Sequence, residues 1–306
     1  MTARLRDALR DRGVAVVPDQ PLGPWTTLGV GGAAALFVEP KTPEELAAVL
    51  AALAEAADVP LLVLGRGSNM LVADTGWPGL ALRLGAGFKW QRRSGDVVEA
   101  GGGTSMPALA AWLATEGLSG LEFAAGIPAT VGGSVRMNAG AHGGQAGDRL
   151  LSATVATPSA PAGVEIAATE LGLGYRRSAL PRDAVVVAAR WRLEPADPAA
   201  IRAKLDDLRR WRRDTQPLRQ RNCGSVFTNP PGDSAGRLIE AAGLKGRAVA
   251  GAQVSEKHAN FIVVEPGKTT AGDVVTLIRE VRSEVAARGG PLLEPEVRLV
   301  GFGEGW

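Results

Sequence analysis

The sequence predicts an α+β fold in two parts. Short apolar runs typical of strands outnumber the segments with helical periodicity, and the two kinds do not alternate as regular β–α–β units. Glycine accounts for 40 of the 306 residues and clusters in short motifs, which argues against both a repeat protein and a disordered chain. The segment Pro195-Ala196-Asp197-Pro198 marks the boundary between the parts, because closely spaced prolines interrupt helices and strands.

Start and stop signals predict the elements along the chain. A helix over residues 3–11 is expected to end at Gly13, and Pro43 with two glutamates behind it opens a helix to about Ala56. A charged helix with apolar residues at helical spacing follows the boundary, from Ile201 to about Trp211. The other expected elements are strands at Ala35–Val38, Leu61–Leu64, Leu80–Leu84, Val97–Ala100, Leu151–Thr157, Ala184–Leu193 and Phe261–Val264, and helices at Met106–Thr115 and Ala271–Arg288.

Composition and charge exclude several classes of protein. An apolar content of 45% and a charged content of 22% are ordinary for a soluble globular protein, and a net charge of +2 is too small to indicate nucleic-acid binding. Cys223 is the one cysteine, which excludes an intramolecular disulfide and fits a reducing compartment. Because the sequence has one cysteine and only two histidines, His142 and His258, a zinc site is not expected. Without a secretory signal or an apolar run of membrane length, we expect a cytoplasmic protein with no membrane span, metal or nucleic-acid partner.

An arginine-rich run lies on the charged helix and the loop that follows it. This run could attract nucleic acid, but Asp206, Asp207 and Asp214 are interspersed with the arginines. A solvated helix face that helps to steer an anionic substrate is therefore the favoured interpretation. The run comprises Arg209, Arg210, Arg212, Arg213, Arg219 and Arg221.

The first of two glycine loops follows the apolar strand Leu61–Leu64. Its first two glycines match the dinucleotide-binding fingerprint, but Met70 occupies the third position and no helix start follows. A better fit is a nest, in which consecutive backbone N–H groups point into one concavity and hold a diphosphate. A plain β-turn is the alternative. The residues of this loop are Gly65, Arg66, Gly67, Ser68 and Asn69.

The second glycine loop is longer and covers residues 126–141. Gly132 and Gly133 remove side chains where a planar or phosphate-bearing ligand would press on the backbone. Two such loops without a Rossmann helix indicate a dinucleotide that is held along its length. The loop reads Gly126-Ile127-Pro128-Ala129-Thr130-Val131-Gly132-Gly133 and then Met137-Asn138-Ala139-Gly140-Ala141.

Two segments supply a hydroxyl and a carboxylate in the second part. Gly224 and Ser225 form a tight turn, on which the serine hydroxyl can face a bound substrate. Glu294 and Glu296 flank Pro295 about seventy residues later, and on a regular strand the two glutamates would share a face. A hydroxyl and a carboxylate in this setting make a candidate catalytic pair.

One further motif imitates a phosphate-binding P-loop. Gly267 and Lys268 follow a strand and precede a helix, but Ile262 stands where the P-loop needs its first glycine. Thr270 and Asp273 are better explained as the N-cap of the helix that follows.

The motifs occur in the order found in the UDP-N-acetylenolpyruvoylglucosamine reductases, and the chain resembles that family from about Thr26 to Gly301. A single motif would be weak, whereas nine in order are specific. The short distance from Arg176 to the strand at Ala184 leaves no room for a long insertion and indicates the shorter, type II form. The motifs are Thr27–Gly32, Gly65–Asn69, Gly126–Pro128 with Gly132-Gly133, Met137–Gly140, Tyr175-Arg176, Gly224–Phe227, Ala242–Gly246, Val254–Phe261 and Glu294–Arg298.

The chain departs from the family pattern at two places. Ala129-Thr130 stands where the family usually has Gly-Ser, which keeps the hydroxyl and adds a methyl group near the expected flavin contacts. Thr228 stands where a lysine is common.

The resemblance implies a two-lobed FAD-binding domain of the vanillyl-alcohol-oxidase type, followed by an α+β substrate-binding domain. The FAD-binding domain would cover residues 1–198, with lobes of about 1–84 and 85–198. The substrate-binding domain would cover residues 199–296, and residues 297–306 would return to the FAD-binding domain.

The resemblance also implies the ligands and the residues that hold them. FAD would be bound non-covalently, NADPH would be the hydride donor, and the substrate would be the enolpyruvyl ether of a UDP-sugar. The expected FAD-binding residues are Gly65, Arg66, Gly67, Ser68, Asn69, Gly126, Ile127, Pro128, Thr130, Gly132, Gly133, Asn138, Ala139 and Gly140. The expected substrate-binding residues are Tyr175, Asn229, Lys245, Lys257 and His258, and the expected catalytic residues are Arg176, Ser225 and Glu296.

The implied reaction passes a hydride from NADPH by way of FAD to C3 of the enolpyruvyl group. Arg176 would bind the substrate carboxylate and take up the developing charge, and Ser225 would donate a proton to C2. Glu296 would act as a protonated donor or orient Arg176. Cys223 is a rival proton donor by its acidity, although it lies outside the matching position.

Two other classes stay open. Another FAD-dependent oxidase or dehydrogenase of this fold would share the glycine loops but not Ser225 together with Glu296. A non-catalytic nucleotide-binding module would share neither. Steady reaction with oxygen and a small alcohol would identify the oxidase.

Overall fold

The chain forms two compact units in the computed structural model, which describes residues 2–303. Each unit is assembled from segments that are far apart in the sequence. The larger unit comprises Met1–Asp19, Ala35–Arg66 and Pro78–Arg210, and the smaller unit comprises Gln20–Ala34, Gly67–Trp77 and Trp211–Trp306.

Helices and strands occur together throughout, as expected of an α+β fold. The helices are α1 (Thr2–Asp11), α2 (Pro43–Ala54), α3 (Met106–Glu116), α4 (Val131–Arg136), α5 (Pro198–Thr215), α6 (Ala235–Ala241) and α7 (Ala271–Ala287). The strands are β1 (Val16–Pro21), β2 (Ala33–Val38), β3 (Leu61–Leu64), β4 (Met70–Val72), β5 (Trp77–Arg83), β6 (Gln91–Ser94), β7 (Val97–Gly101), β8 (Leu118–Ser119), β9 (Gly140–Ala141), β10 (Gly144–Gln145), β11 (Leu150–Thr157), β12 (Ala160–Ala167), β13 (Val185–Arg192), β14 (Glu194–Pro195), β15 (Arg221–Ser225), β16 (Ala248–Val249), β17 (Ala252–Val254), β18 (Phe261–Val264) and β19 (Arg298–Val300). Among residues 2–303, no helix is both long enough and apolar enough to cross a bilayer.

One core of the larger unit forms between a sheet and two helices. The sheet has the strand order β1-β2-β5-β3, in which β3 pairs with β5 in parallel. The apolar faces of α1 and α2 fill this core, where Leu5, Leu9 and Leu50 are fully buried. Because β3 runs directly into the first glycine loop, this core positions the start of that loop.

The second core of the larger unit lies under an antiparallel sheet of order β12-β11-β13-β7-β6. Leu109 of α3, Val131 of α4 and Trp191 of β13 are fully buried in it. The indole N–H of Trp191 donates to the carbonyl oxygen of Ala146 at 2.9 Å, so the buried polar group is satisfied. The core therefore holds α4, and with it the second glycine loop, against the sheet.

The smaller unit is built around α7 and an antiparallel sheet of order β15-β18-β17-β16. The apolar face of α7, with Leu277 and Ile278 fully buried, joins Ile262 of β18 in one core. The helix begins as predicted, because Thr270 accepts the backbone N–H of Asp273 while the Asp273 carboxylate accepts the backbone N–H of Thr270. The reciprocal bonds form a capping box, so the N-cap interpretation of this segment is confirmed.

The early segment Gly67–Trp77 belongs to the smaller unit and bonds to its late elements. β4 pairs in parallel with β19. The carboxylate of Asp74 accepts the backbone N–H groups of Ala271 and Gly272, at 2.9 and 2.8 Å, in the first turn of α7. The two compact units thus have different bounds from the domains expected to end at residues 198 and 296, and those domain bounds stay predictions.

Most expected elements lie within a few residues of their expected ends, and Leu61–Leu64 and Phe261–Val264 match fully. The second glycine loop is the exception, because α4 forms inside the stretch expected to be a continuous loop. Two adjacent glycines disfavour a helix, which hid α4 from the sequence pattern. Its N-cap, Thr130, and its packing against the sheet compensate for that weak propensity.

The segment around Pro295 also differs from its expected form. Instead of a regular strand, it makes one isolated bridge, between Pro295 and Phe227. The argument that Glu294 and Glu296 share a strand face therefore does not apply.

Candidate active site

The first glycine loop presents backbone donors without partners. Within residues 2–303, no hydrogen bond is made to the backbone N–H groups of Arg66, Gly67 and Ser68, and Gly67 is buried. A buried donor without a partner is costly, so a ligand acceptor is expected at this loop. Consecutive unpaired donors fit a nest for a diphosphate better than they fit a plain turn.

The two glycine loops approach each other at Gly65. A side-chain carbon at this position would lie 2.8 Å from Oγ1 of Thr130, so with a residue larger than glycine either the Thr130 side chain or the loop would have to shift. Thr130 also caps α4 by accepting the backbone N–H of Gly133 at 3.2 Å. The departure from the family pattern at Thr130 therefore preserves both the cap and this contact.

Glu122 holds the chain that enters the second glycine loop. Its carboxylate accepts the hydroxyl of Ser119 at 2.6 Å and the backbone N–H of Gly120 at 3.0 Å, and Lys204 of α5 lies 3.7 Å away. Burial raises the pKa of Glu122, but these hydrogen bonds and the lysine outweigh it, so the pKa lies below its ordinary value. The ionised carboxylate thus ties the loop entrance to α5, a role that the sequence analysis missed.

The side chain of Asn138 is committed within the protein. It is 1% exposed, and its Oδ1 accepts the backbone N–H of Gly147 at 2.8 Å. Its Nδ2 donates to Oε1 of Gln145 at 3.2 Å and to the carbonyl oxygen of Gly174 at 3.1 Å. Both amide hydrogens and the amide oxygen are engaged, so a flavin contact from Asn138 would have to come from its backbone.

The other expected FAD-binding residues surround α4. Gly126 ends a buried 3-10 turn, and Ile127 packs against the core of the larger unit before Pro128 leads into the helix cap. Ala139 donates its backbone N–H to the backbone carbonyl oxygen of Ser134 at 2.8 Å, and Gly140 begins a short hairpin. The structure thus gathers most of the second loop around one short helix.

Ser134 of α4 has a fully buried hydroxyl oxygen without a hydrogen-bond partner among the described residues. An unsatisfied buried hydroxyl costs about 1–3 kcal/mol, and alanine also favours the helix. We expect Ser134→Ala to raise the free energy of unfolding by about 1 kcal/mol, measured by urea denaturation followed by circular dichroism. A clear loss of stability would mean that the hydroxyl has a partner in solution.

Tyr175 and Arg176 form the corner of a tight turn in the larger unit. Gly174 and Arg177 exchange both backbone hydrogen bonds across it, at 3.0 and 3.2 Å. Arg176 has φ of +56°, in the left-handed region that side chains rarely adopt. Its guanidinium carbon lies 5.0 Å from the centre of the Tyr175 ring, which is 53% exposed. The turn therefore presents a cation over an aromatic face, at a cost in backbone strain.

Ser225 lies at the end of β15, beside an irregularity in the strand pairing. The register against β18 shifts between Asn222 and Ser225, and Gly224 between them has φ of +78°. The backbone N–H of Gly224 donates to Oδ1 of Asn222 at 3.0 Å, which shapes this bulge. Among the described residues, nothing bonds to the Ser225 hydroxyl, so it is available to a ligand.

Glu296 lies on the chain next to the Ser225 segment. Its backbone N–H donates to the carbonyl oxygen of Val226 at 2.8 Å, and its own carbonyl accepts from the side chain of Asn69 at 3.1 Å. The structure thus brings Ser225, Glu296 and Asn69 of the first glycine loop into neighbouring segments of the smaller unit. Arg176 belongs to the larger unit.

Cys223 is poorly suited to be a proton donor in this structure. Its side chain is 3% exposed within the core of the smaller unit. Burial, reinforced by the nearby charge of Glu296, raises the pKa of the thiol to about 12. The acidity that favoured this residue in the sequence is therefore suppressed.

The expected substrate-binding residues of the smaller unit are held by protein partners. Lys245 pairs with Glu240 at 2.7 Å and lines an open cleft of about 490 Å³, and Lys257 donates to the carbonyl oxygen of Arg213 at 2.6 Å. Asn229 Oδ1 accepts the backbone N–H of Ala235 at 3.0 Å.

His258 is the remaining substrate-binding candidate. Its Nδ1 accepts the backbone N–H of Asn260 at 3.2 Å, and its ring lies 4.6 Å from that of Phe261. Burial lowers the pKa of His258, so the ring is neutral near pH 7. No group of three or more His, Cys, Asp or Glu side chains in the described part of the chain could hold a metal ion.

Comparisons with known proteins match two parts of the chain to family models. Residues 33–160 match the family model of the FAD binding domain, and residues 216–300 match that of the C-terminal domain of UDP-N-acetylenolpyruvoylglucosamine reductase. The protein is therefore an FAD-dependent oxidoreductase.

Relatives and a solved structure make the assignment more specific. UDP-N-acetylenolpyruvoylglucosamine reductase 2 of Symbiobacterium thermophilum is 46% identical over 98% of this chain and 97% of its own length. The reductase of an Anaeromyxobacter species is 46% identical over 94% of this chain and 89% of its own length. The crystal structure of the enzyme from Thermus caldophilus is 39% identical, with a TM-score of 0.80 over 94% of this chain and 98% of that one.

The chain belongs to the UDP-N-acetylenolpyruvoylglucosamine reductase family. The family resemblance and the α+β fold with an FAD-binding domain, both expected from the sequence, are confirmed. The individual site residues stay predictions.

Proposed function

We propose that the protein reduces the enolpyruvyl ether of UDP-N-acetylglucosamine to UDP-N-acetylmuramate, a step in the synthesis of peptidoglycan precursors, with NADPH as the hydride donor. The observation that carries the proposal is the pairing of the Ser225 segment with the Glu296 segment inside a unit that matches the reductase model. The single cysteine is consistent with a cytoplasmic setting.

The residues of the two glycine loops fit FAD. The unpaired N–H groups of Arg66, Gly67 and Ser68 suit the diphosphate, and the absence of a side chain at Gly65 lets the two loops approach each other. FAD, when bound, supplies the hydride that NADPH has delivered. We propose non-covalent binding, because neither histidine matches an attachment site.

Arg176 is proposed to bind the carboxylate of the substrate. A hydride that arrives at C3 pushes electron density from the double bond toward the carboxylate. The planar guanidinium can accept that charge through two parallel hydrogen bonds. The tight turn holds the backbone of Arg176 in a defined conformation, so less freedom is lost when the carboxylate binds.

Ser225 is proposed to donate its hydroxyl proton to C2, which completes the addition of two hydrogens across the double bond. The alkoxide that remains must recover a proton, and Glu296 is proposed to relay it by taking a proton from water and passing it to the serine. The electrons come from NADPH, which leaves as NADP⁺, so the reaction is balanced.

The proposal is tested with purified protein under anaerobic conditions. We expect a yellow flavin spectrum, bleaching by NADPH, and return of the colour when the UDP-linked enolpyruvyl ether is added. Acid precipitation should release the flavin into the supernatant. Colour that returns only with oxygen, and not with the enolpyruvyl ether, would favour an oxidase of the same fold. Colour in the acid pellet would contradict non-covalent binding.

We further propose that Lys245 or Lys257 contacts the diphosphate of the substrate. Loss of a charge-assisted hydrogen bond costs about 1.5–3 kcal/mol, so replacing both lysines by alanine should raise the KM for the UDP-linked substrate by at least about tenfold. Lys268→Ala is the matched control, because Lys268 is an exposed lysine of the same unit that pairs with Glu265 at 2.6 Å. A KM equal to that of the control would reject the assignment.

A further inference from the structure

Asn260 bonds directly to the segment that carries Ser225. It is 4% exposed, and its backbone carbonyl oxygen accepts the backbone N–H of Val226 at 2.9 Å. Its side chain accepts the backbone N–H of Phe227 at 2.9 Å and donates to the carbonyl oxygen of Phe227 at 2.8 Å. One residue thus continues, with its side-chain amide, the pairing that a backbone strand would make.

This side-chain pairing extends a short strand ladder that is interrupted before Ser225 and ends after it. The register of β15 shifts just before Ser225, and Gly224 brings a left-handed conformation into the strand. Ser225 pairs with Phe261 just beyond this irregularity, and its backbone pairing on the N-terminal side is therefore interrupted. The residues immediately after Ser225 are instead fixed by Asn260.

The opposite edge of the same segment is bonded to the Glu296 chain. The carbonyl oxygen of Val226 accepts the backbone N–H groups of Glu296 and Val297, at 2.8 and 3.3 Å. The backbone of Val226 is therefore held from both sides, by Asn260 and by the segment with the proposed proton source. A shift of the Ser225 segment away from Asn260 would also change its relation to Glu296.

Asn260 is itself held in a defined orientation. Its backbone N–H donates to Nδ1 of His258, and the neutral ring of His258 leaves that nitrogen free to accept. The backbone N–H groups of Lys257 and His258 in turn donate to the hydroxyl of Ser255, which is 2% exposed. The segment from Ser255 to Asn260 is thus a rigid, hydrogen-bonded support.

We propose that Asn260 is a positioning residue that fixes Ser225 for proton delivery to C2. This inference rests on the proposed role of Ser225. Among the described residues, Asn260 makes no hydrogen bond to the Ser225 hydroxyl, and it acts by holding the backbone that carries the serine. A displacement of about 1 Å at a reacting group can cost about 10²-fold in rate.

The test uses the FAD-loaded protein with Asn260→Asp, which is isosteric but loses the donor to Phe227, and with Asn260→Ala. We expect flavin reoxidation by the enolpyruvyl substrate to slow by about 10- to 100-fold. Flavin content and the rate of flavin reduction by NADPH should stay within about twofold of the parent. Lowering the pH should restore part of the Asn260→Asp rate, because a protonated carboxyl group can again donate to Phe227.

A core truncation separates positioning from general destabilisation. Ile278→Val removes one methyl group from the core of the same unit without removing a hydrogen bond of the Ser225 segment, and should leave both half-reactions unchanged. If Asn260→Asp reoxidises the flavin as fast as Ile278→Val does, the inference is overturned.

A double-mutant cycle then separates this inference from the proposed function. If Asn260 acts through Ser225, Ser225→Ala combined with Asn260→Ala should be no slower than Ser225→Ala alone. Effects that multiply would overturn the positioning role while leaving Ser225 in the mechanism. A Ser225→Ala variant that reoxidises normally would instead overturn the proposed proton donor.

Discussion

Ser225→Ala is expected to leave flavin reduction by NADPH nearly unchanged and to slow flavin reoxidation by the enolpyruvyl substrate by about 10²–10⁴-fold. The asymmetry follows because the serine is needed only when C2 accepts a proton. The upper end of the range is expected because Cys223, the one thiol in the chain, cannot easily replace the serine as proton donor. Its pKa is raised to about 12 and it is buried in the core. Stopped-flow absorbance of each half-reaction measures the two rates separately.

Cys223→Ala is the control for the serine variant. It removes a buried thiol two residues away and should change neither half-reaction by more than about threefold, because a one-atom truncation perturbs packing only slightly. An equal loss in both half-reactions of Ser225→Ala would indicate loss of flavin or misfolding. A normal oxidative half-reaction would remove Ser225 from the mechanism.

Arg176→Gly is expected to lower the rate of flavin reoxidation by at least about 10²-fold, because the substrate carboxylate loses its proposed partner. The same change should leave the protein as stable as the parent, or more stable by up to about 1 kcal/mol, since glycine adopts the φ of +56° without strain. The lost cation–π contact with Tyr175 offsets part of that gain. Chemical denaturation and stopped-flow kinetics on the same sample measure both effects.

Arg177→Gly is the matched control, because it changes the adjacent arginine of the same turn. Arg177 is not among the residues with positive φ, so glycine there should cost about 0.5–1 kcal/mol of stability while the oxidative half-reaction continues. Arg176→Gly should therefore lose activity without losing stability, and Arg177→Gly should lose stability without losing activity. A loss of stability in Arg176→Gly would show that the arginine stabilises the turn more than its conformation strains it.

Regular elements and glycine loops could be predicted from the sequence because their signals are local. The apolar run Leu61–Leu64 and the cap at Thr270 depend on residues close together in the chain. In contrast, α4 contains two glycines and is stabilised by burial against a sheet that the local pattern does not reveal. Propensity failed there because tertiary packing outweighed it.

The candidate site shows the same division. Ser225 and Glu296 were found through short motifs, and their segments do lie side by side. Asn260 lies within the Val254–Phe261 motif, but its role could not be predicted from the sequence, because its side-chain hydrogen bonds run to a residue more than thirty positions away. The hydrogen bonds of the Asn138 side chain could not be predicted either, since nothing in the sequence distinguishes an amide that binds a ligand from one that joins two loops.

The pairing of β4 with β19 has a consequence for synthesis on the ribosome. These strands are more than two hundred residues apart, and a parallel strand pair forms only when both members have emerged. At about 5–20 residues per second, β4 would wait roughly 10–45 s for its partner. During that interval Asn69, which precedes β4, also lacks the Glu296 carbonyl that its side chain holds in the finished fold. A first glycine loop that depends on Asn69 is therefore expected to bind flavin only once β19 has been made, which places cofactor uptake after the folding of the smaller unit rather than before it.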